Sequence, residues 1–151
     1  MEVDEWLAPD SLLDLGNREL QVLYTSGHTE DSVSLLDLST GNVFSGDFIN
    51  PGFLYAFLPT SNMGDFLQGA NTLLAPVYQS AEVFGAHRGR DPGIPRLTAN
   101  DIADLRVALE SIKNRTAEGS GNYPRVYNIN ENLNILAEPR WLQNCQPRSN
   151  E

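Results

Sequence analysis

The chain contains few cysteines, histidines and basic residues, and each shortage excludes a class of protein. Cys145 is the single cysteine among 151 residues, so no internal disulfide can form. The cysteine content therefore does not indicate whether the protein is in a reducing or an oxidising compartment. The chain has 10 Lys and Arg and 20 Asp and Glu, which gives a net charge of −10. This negative charge argues against binding to nucleic acid. No apolar run approaches about 18 residues, and no basic segment followed by an apolar one opens the chain. We therefore expect no membrane span, no signal peptide and a cytoplasmic location.

Strand-like and helix-like patterns alternate along the chain. The length predicts a single domain over residues 1–151, with a core at about 18–137 and a tail at 138–151. Asn62 is a candidate N-cap for a first helix, and Thr98 or Asn100 for a second. Apolar spacing predicts strands at 20–25, 32–38, 42–45 and 81–86, helices at 62–77 and 100–115, and a closing hairpin of 126–129 with 133–137.

Both histidines and one aspartate lie where predicted strands end. His28 follows the strand at 20–25, Asp47 follows the strand at 42–45, and His87 follows the strand at 81–86. Imidazole nitrogens and a carboxylate are donors that suit zinc, manganese or iron. We predict that the three side chains converge at one rim of a sheet, close enough to share one or two metal ions.

Two segments near these residues each allow two interpretations. The segment 50–60 is rich in proline, glycine and aromatic residues, and is either a lid over a site or a packed corner. The segment 88–96 carries arginines and prolines, and is either a solvated turn or a cationic wall that holds an anionic substrate group. The candidate substrate-binding residues are Tyr55, Phe57, Arg88 and Arg90.

The motifs around the three candidate ligands resemble those of the metallo-β-lactamase fold superfamily. These motifs are Gly27-His28-Thr29, Ser45-Gly46-Asp47 and Gly85-Ala86-His87. The resemblance covers roughly residues 18–115 and only the C-terminal half of a typical family member. It implies an α/β fold, namely half of an αββα sandwich, with one mixed sheet and two main helices on one face.

The resemblance also implies a role for each ligand and a zinc cofactor. His28 is similar to the histidine that completes the first metal site, and Asp47 to the aspartate that bridges both metals. His87 is similar to the histidine that completes the second site. The family's main ligand cluster, His-x-His-x-Asp-His, is absent, and the chain has no other histidine. We therefore expect zinc to bind weakly, and the chain alone not to be a competent hydrolase.

Three interpretations of the function remain. In the first, the chain is part of a metal-dependent hydrolase of an ester, thioester or lactone, completed by an N-terminal half that lies elsewhere. In the second, it is a truncated relative that serves as a non-catalytic binding or structural protein. In the third, two copies build a site at their interface. The predicted strands are apolar on both faces, so we expect a homodimer or a complex with a complementary N-terminal chain, and a small-molecule substrate if the site is active.

Overall fold

A computed structural model describes residues 3–74, 82–88, 93–138 and 144–148. Within these residues the chain forms nine strands and two helices. The strands are β1 (Leu12–Asp14), β2 (Glu19–Tyr24), β3 (Val33–Asp37), β4 (Val43–Gly46), β5 (Gly52–Ala56), β6 (Glu82–Gly85), β7 (Arg96–Thr98), β8 (Arg125–Asn128) and β9 (Leu133–Ala137); the helices are α1 (Met63–Leu73) and α2 (Ala99–Lys113).

Six strands form the larger sheet, in the order β1-β2-β3-β4-β6-β7. All neighbours are antiparallel except β4 and β6, which run parallel. One face of this sheet carries Leu36, Val43, Val83 and Leu97 opposite one another on successive strands, and all four are buried. Helices α1 and α2 contact each other and share the hydrophobic core with these residues. The predicted α/β class with two main helices is confirmed.

The other three strands form a second sheet, in the order β5-β9-β8, so the prediction of a single mixed sheet is wrong. Strand β5 lies inside the segment that was expected to be a lid or a corner, and it pairs in parallel with β9. Leu54 and Ala56 face the core, whereas Phe53 and Tyr55 remain nearly half exposed. This alternation is that of a strand with one buried face. The predicted hairpin of β8 and β9 is present.

Both helices begin close to the predicted caps. The side chain of Asn62 accepts a hydrogen bond from the Asp65 amide at 3.0 Å, so it caps α1. Thr98, rather than Asn100, precedes α2. Helix α1 ends at Leu73, and residues 75–77 of the predicted helix lie outside the described residues. In the described part of the chain, neither helix is long and apolar enough to cross a membrane.

The larger sheet is apolar on its second face as well. Val22, Leu35, Phe44 and Phe84 lie opposite one another on β2, β3, β4 and β6. The rings of Phe44 and Phe84 stack with their centroids 5.8 Å apart, and 43% of Phe44 is exposed. We call the face that carries these four residues the outer face.

The described part of the tail, residues 144–148, packs on the first turn of α1. The Asn144 carbonyl accepts hydrogen bonds from the amides of Met63 and Gly64 at 3.2 and 3.4 Å. Amides in the first turn of a helix have no partner within the helix, so the tail satisfies two of them. Cys145 packs against the core, and its burial raises the pKa of the thiol despite the opposing effect of nearby Lys113 and Arg115.

A buried carboxylate joins the start of α2 to the turn between β8 and β9. Asp101 is 5% exposed, and its Oδ2 accepts hydrogen bonds from the Thr98 amide at 2.8 Å and the Thr98 hydroxyl at 2.9 Å. Its Oδ1 accepts from the side-chain amides of Asn130 at 3.1 Å and Asn132 at 3.0 Å. Burial alone would raise the pKa of Asp101, but these donors outweigh it, and the pKa lies below its usual value.

We expect Asp101→Asn to lower the free energy of unfolding by about 2 kcal/mol at neutral pH, because hydrogen bonds to a charged group each contribute roughly 1.5–3 kcal/mol. Since the pKa of Asp101 is lowered by folding, its contribution is complete above the ordinary aspartate pKa of about 3.9 and is lost as the pH falls below it. Urea unfolding of both proteins between pH 7 and pH 3 measures this.

The matched control is Glu110→Gln, which removes a partly exposed ion pair with Arg106 on the same helix. This change should cost no more than about 0.5 kcal/mol. A difference between wild type and Asp101→Asn that stays constant down to pH 3 would contradict the prediction.

Candidate functional site

His28 lies in the loop after β2, and a close backbone approach fixes that loop. The preceding Gly27 has φ of +148°, and a Cβ there would lie 2.6 Å from the ring of Phe66 on α1, so only glycine fits. The Nδ1 atom of His28 is 3.2 Å from the Tyr55 carbonyl on β5. A carbonyl only accepts hydrogen bonds, so this contact places the ring proton on Nδ1. In the neutral ring, Nε2 then carries the lone pair that a metal ion requires.

Asp47 lies directly after β4, and His87 lies two residues after the end of β6. Because these strands are parallel, their carboxyl ends meet at the same edge of the sheet. The Nε2 atom of His87 is 2.9 Å from Oδ1 of Asp47, with 73% of the histidine side chain and 44% of the aspartate side chain exposed. The hydroxyl of buried Ser45 supports the turn that carries Asp47, since it donates to the carbonyls of Ile49 at 3.0 Å and Phe84 at 3.3 Å.

His28, Asp47 and His87 line one open pocket of about 680 Å³. The pocket's other walls come from residues 50–55, Arg88 and the turn and strand that contribute Glu131, Asn132 and Asn134. The structure thus brings all three candidate ligands to one cavity. Asp47 and His87 are in direct contact, whereas the ring of His28 contacts the Tyr55 carbonyl on β5. Metal ligation by the three residues stays a prediction.

The donor atoms of His28, Asp47 and His87 suit a metal ion, but their positions do not form a complete metal site. Two imidazoles and a carboxylate suit zinc. Among the described residues, however, no three His, Cys, Asp or Glu side chains form a group that could hold an ion. A tetrahedral zinc site needs three or four protein ligands at about 2.0–2.3 Å. The described residues alone therefore do not provide a complete metal site.

Three of the four candidate substrate-binding residues lie in the described part of the chain, and two of these line the pocket. Tyr55 and Arg88 line the pocket. Phe57 lies next to the pocket lining, with its ring 5.9 Å from that of Tyr55 and 6.0 Å from that of Tyr123. Arg90 lies outside the described residues. The segment that contains Tyr55 is a strand that forms part of the pocket wall, and substrate binding by these residues stays a prediction.

Sequence reasoning missed Asn50, which orders the His87 loop. Asn50 is 6% exposed, and its Oδ1 accepts a hydrogen bond from the His87 amide at 2.7 Å. Gly85 packs against the same side chain so closely that a Cβ would collide with it. The one available signal was a polar residue directly after the apolar pair Phe48 and Ile49, which is where a buried amide can turn the chain.

Comparison with known proteins gives relatives longer than this chain. No family model matches it. It is 32% identical over 110 residues to the acyl-coenzyme A thioesterase MBLAC2 of Gallus gallus, covering 67% of the chain and 38% of that relative. The Homo sapiens protein of the same name is 32% identical over 68 residues, covering 45% of the chain and 24% of the relative. The chain thus spans well under half the length of these relatives.

Two solved structures match the fold at 21% identity. A metallo-β-lactamase from Staphylococcus aureus superposes with a TM-score of 0.57, covering 80% of this chain and 40% of that one. ETHE1 from Myxococcus xanthus superposes with a TM-score of 0.54, covering 68% and 44%. At this identity the likeness establishes the fold alone. Together with the relatives of similar sequence, it shows that the chain has part of the metallo-β-lactamase fold.

Proposed function

We propose that the chain supplies part of the metal site and one side of the substrate pocket of a metal-dependent hydrolase that cleaves thioesters. The observation that carries the proposal is that His28, Asp47 and His87 all line one cavity. The name of the relatives, acyl-coenzyme A thioesterase, favours a thioester over the ester and lactone alternatives. The remaining metal ligands must come from outside the chain's described residues, since these contain no group of three.

Each pocket residue has a distinct role in this proposal. His28 presents Nε2 because the Tyr55 carbonyl holds its other nitrogen. Asp47 offers a carboxylate that can contact two ions, and at present one of its oxygens faces His87. Arg88 provides a guanidinium for an anionic group of the substrate, and the ring of Tyr55 provides an apolar surface.

We expect the chain alone to bind zinc weakly, because each ion lacks most of its ligands and the open pocket adds little preorganisation. Calorimetric titration of the metal-free protein measures the affinity. Asp47→Asn should weaken it at least about tenfold, the loss typical even for residues that only support a ligand. Asp31→Asn, an acidic residue of the His28 loop that does not line the pocket, is the control.

The same proteins should be tested for hydrolysis of an acyl-coenzyme A thioester. We expect no turnover by the chain alone, and turnover when it is fused to the part of the Gallus gallus relative that the alignment does not cover. Tight, stoichiometric zinc binding by the chain as a monomer contradicts the proposed incompleteness. A fusion that binds zinc but is equally active with Asp47→Asn contradicts the proposed site.

We further propose that the outer face is covered in the working protein, by a complementary N-terminal chain or by a second copy. Val33 and Phe44 are 44% and 43% exposed on this face, an arrangement that marks interaction sites. Strands β4 and β6 carry Phe44 and Phe84 on the outer face and then lead to Asp47 and His87. Whatever packs there therefore reaches the rim of the pocket, where further ligands are needed.

Light scattering at micromolar concentration should show a homodimer, unless a complementary chain copurifies. Phe44→Ser should shift this equilibrium towards the monomer, because it removes an aromatic ring from the interface. Val107→Ser is the control, since Val107 is 52% exposed but lies on α2, away from the outer face. A wild-type chain that is a soluble, folded monomer without any copurifying partner would contradict the proposal.

A further inference from the structure

Arg148 connects the described part of the tail to the loop between β5 and α1. Its Nη2 donates to the carbonyls of Thr60 at 3.0 Å and Ser61 at 3.3 Å, and its Nη1 is 3.3 Å from Oε2 of Glu30. A guanidinium is planar and offers its donors in a fixed fork, so it can hold several acceptors at a defined spacing. One side chain therefore contacts both the segment before α1 and the loop that contains His28.

The tail that carries Arg148 is anchored by a buried group. Asp65, in the first turn of α1, is 4% exposed, and its Oδ1 accepts a hydrogen bond from the Arg148 amide at 2.7 Å. The guanidinium Nε is 3.7 Å from the other oxygen of Asp65. Gly64 leaves no room for a Cβ, because the backbone of Gln146 and Pro147 occupies that space. The position of Arg148 is thus set by its main chain as well as by its charge.

Ser61 links Arg148 to His28 through hydrogen bonds. Its hydroxyl is 2.9 Å from the His28 carbonyl and 3.2 Å from the Tyr55 carbonyl. The Tyr55 carbonyl is the atom that faces Nδ1 of the His28 ring. Ser61 therefore fixes the distance between the backbone of His28 and the acceptor of its ring proton, and Arg148 holds the backbone of Ser61.

We propose that Ser61 and Arg148 are positioning residues for His28: together they keep its ring proton on Nδ1 and direct Nε2 into the pocket. Residues that orient a ligand in this way act on affinity through the ligand rather than by contact with the metal. Metal binding by His28 rests on the proposed function. The orientation and the tautomer of its ring do not depend on that function.

If the tail only stabilised the fold, its variants would give a different result from the one expected if the tail positions His28. Loss of general stability lowers the free energy of unfolding but leaves the ring of His28 unchanged in the molecules that remain folded. Loss of positioning changes the tautomer of His28 within the folded state. The chain has only two histidines, so the imidazole signals of His28 can be separated from those of His87, which serves as an internal reference.

The test is a long-range ¹H–¹⁵N spectrum of the uniformly labelled, metal-free chain at about pH 8, where imidazole is generally neutral. We expect Ser61→Ala and Arg148→Ala each to lower the ratio of the Nδ1–H to the Nε2–H form of His28 at least twofold, with no change at His87. The matched controls are Ser39→Ala, which removes a hydroxyl bound to Asp37, and Arg106→Ala, which removes the pair with Glu110.

Conservative variants separate geometry from charge. Ser61→Thr keeps the hydroxyl and should restore the wild-type ratio. Arg148→Lys keeps the charge but loses the fork, and should resemble Arg148→Ala. If Arg148→Ala fails to fold, the tautomer ratio of His28 is measured in Arg148→Lys instead. An unchanged His28 ratio with Ser61→Ala, or with the Arg148 variant that folds, overturns the proposal.

Zinc affinity distinguishes failure of this inference from failure of the proposed function. If His28 is a ligand, the variants that change its tautomer should also weaken zinc binding about 10-fold or more. A changed tautomer with unchanged zinc affinity supports the positioning role and contradicts ligation by His28. An unchanged tautomer with weakened zinc binding overturns the positioning role.

Discussion

The parallel pairing of β4 with β6 is the constraint on which the pocket depends. Parallel neighbours require a crossover that returns the chain to the starting edge, and here the segment containing α1 lies between the two strands. With Val43 opposite Val83 and Phe44 opposite Phe84, both strands end at the same edge. Asp47 and His87 meet there although they are far apart in sequence. Without this pairing neither the contact between His87 and Asp47 nor the continuous outer face would exist.

The sequence allowed prediction of those features that follow from local pattern. Alternating and helical spacing located the central strands of the larger sheet and both helices, and the position of His28, Asp47 and His87 at strand ends placed them at one cavity. Strand β5 was missed because Phe53 to Tyr55 are all large and apolar, so the alternation of buried and exposed residues is invisible in the residue types. Its partner, β9, lies in a distant part of the chain, which hides the pairing as well.

The roles of Asn50 and Arg148 could not be predicted, for a related reason. Asn50 accepts from the amide of His87, and Arg148 donates to the carbonyls of Thr60 and Ser61. Every residue has a backbone amide or carbonyl, so no residue type in the sequence indicates such partners. Side chains that bind main-chain atoms become recognisable only when the fold has brought the segments together.

The pairing of β5 with β9 also determines when the second sheet can form. Gly52 pairs opposite Leu133, about 80 residues later in the chain. At a synthesis rate of ~5–20 residues per second, β9 emerges on the order of 4–16 s after β5. During that interval Phe53 and Tyr55 belong to a strand without its neighbour, and unpaired strand edges favour aggregation. The wall of the pocket at β5 therefore waits longer for its partner during translation than any strand of the larger sheet, where no strand pair spans more than about 40 residues of chain.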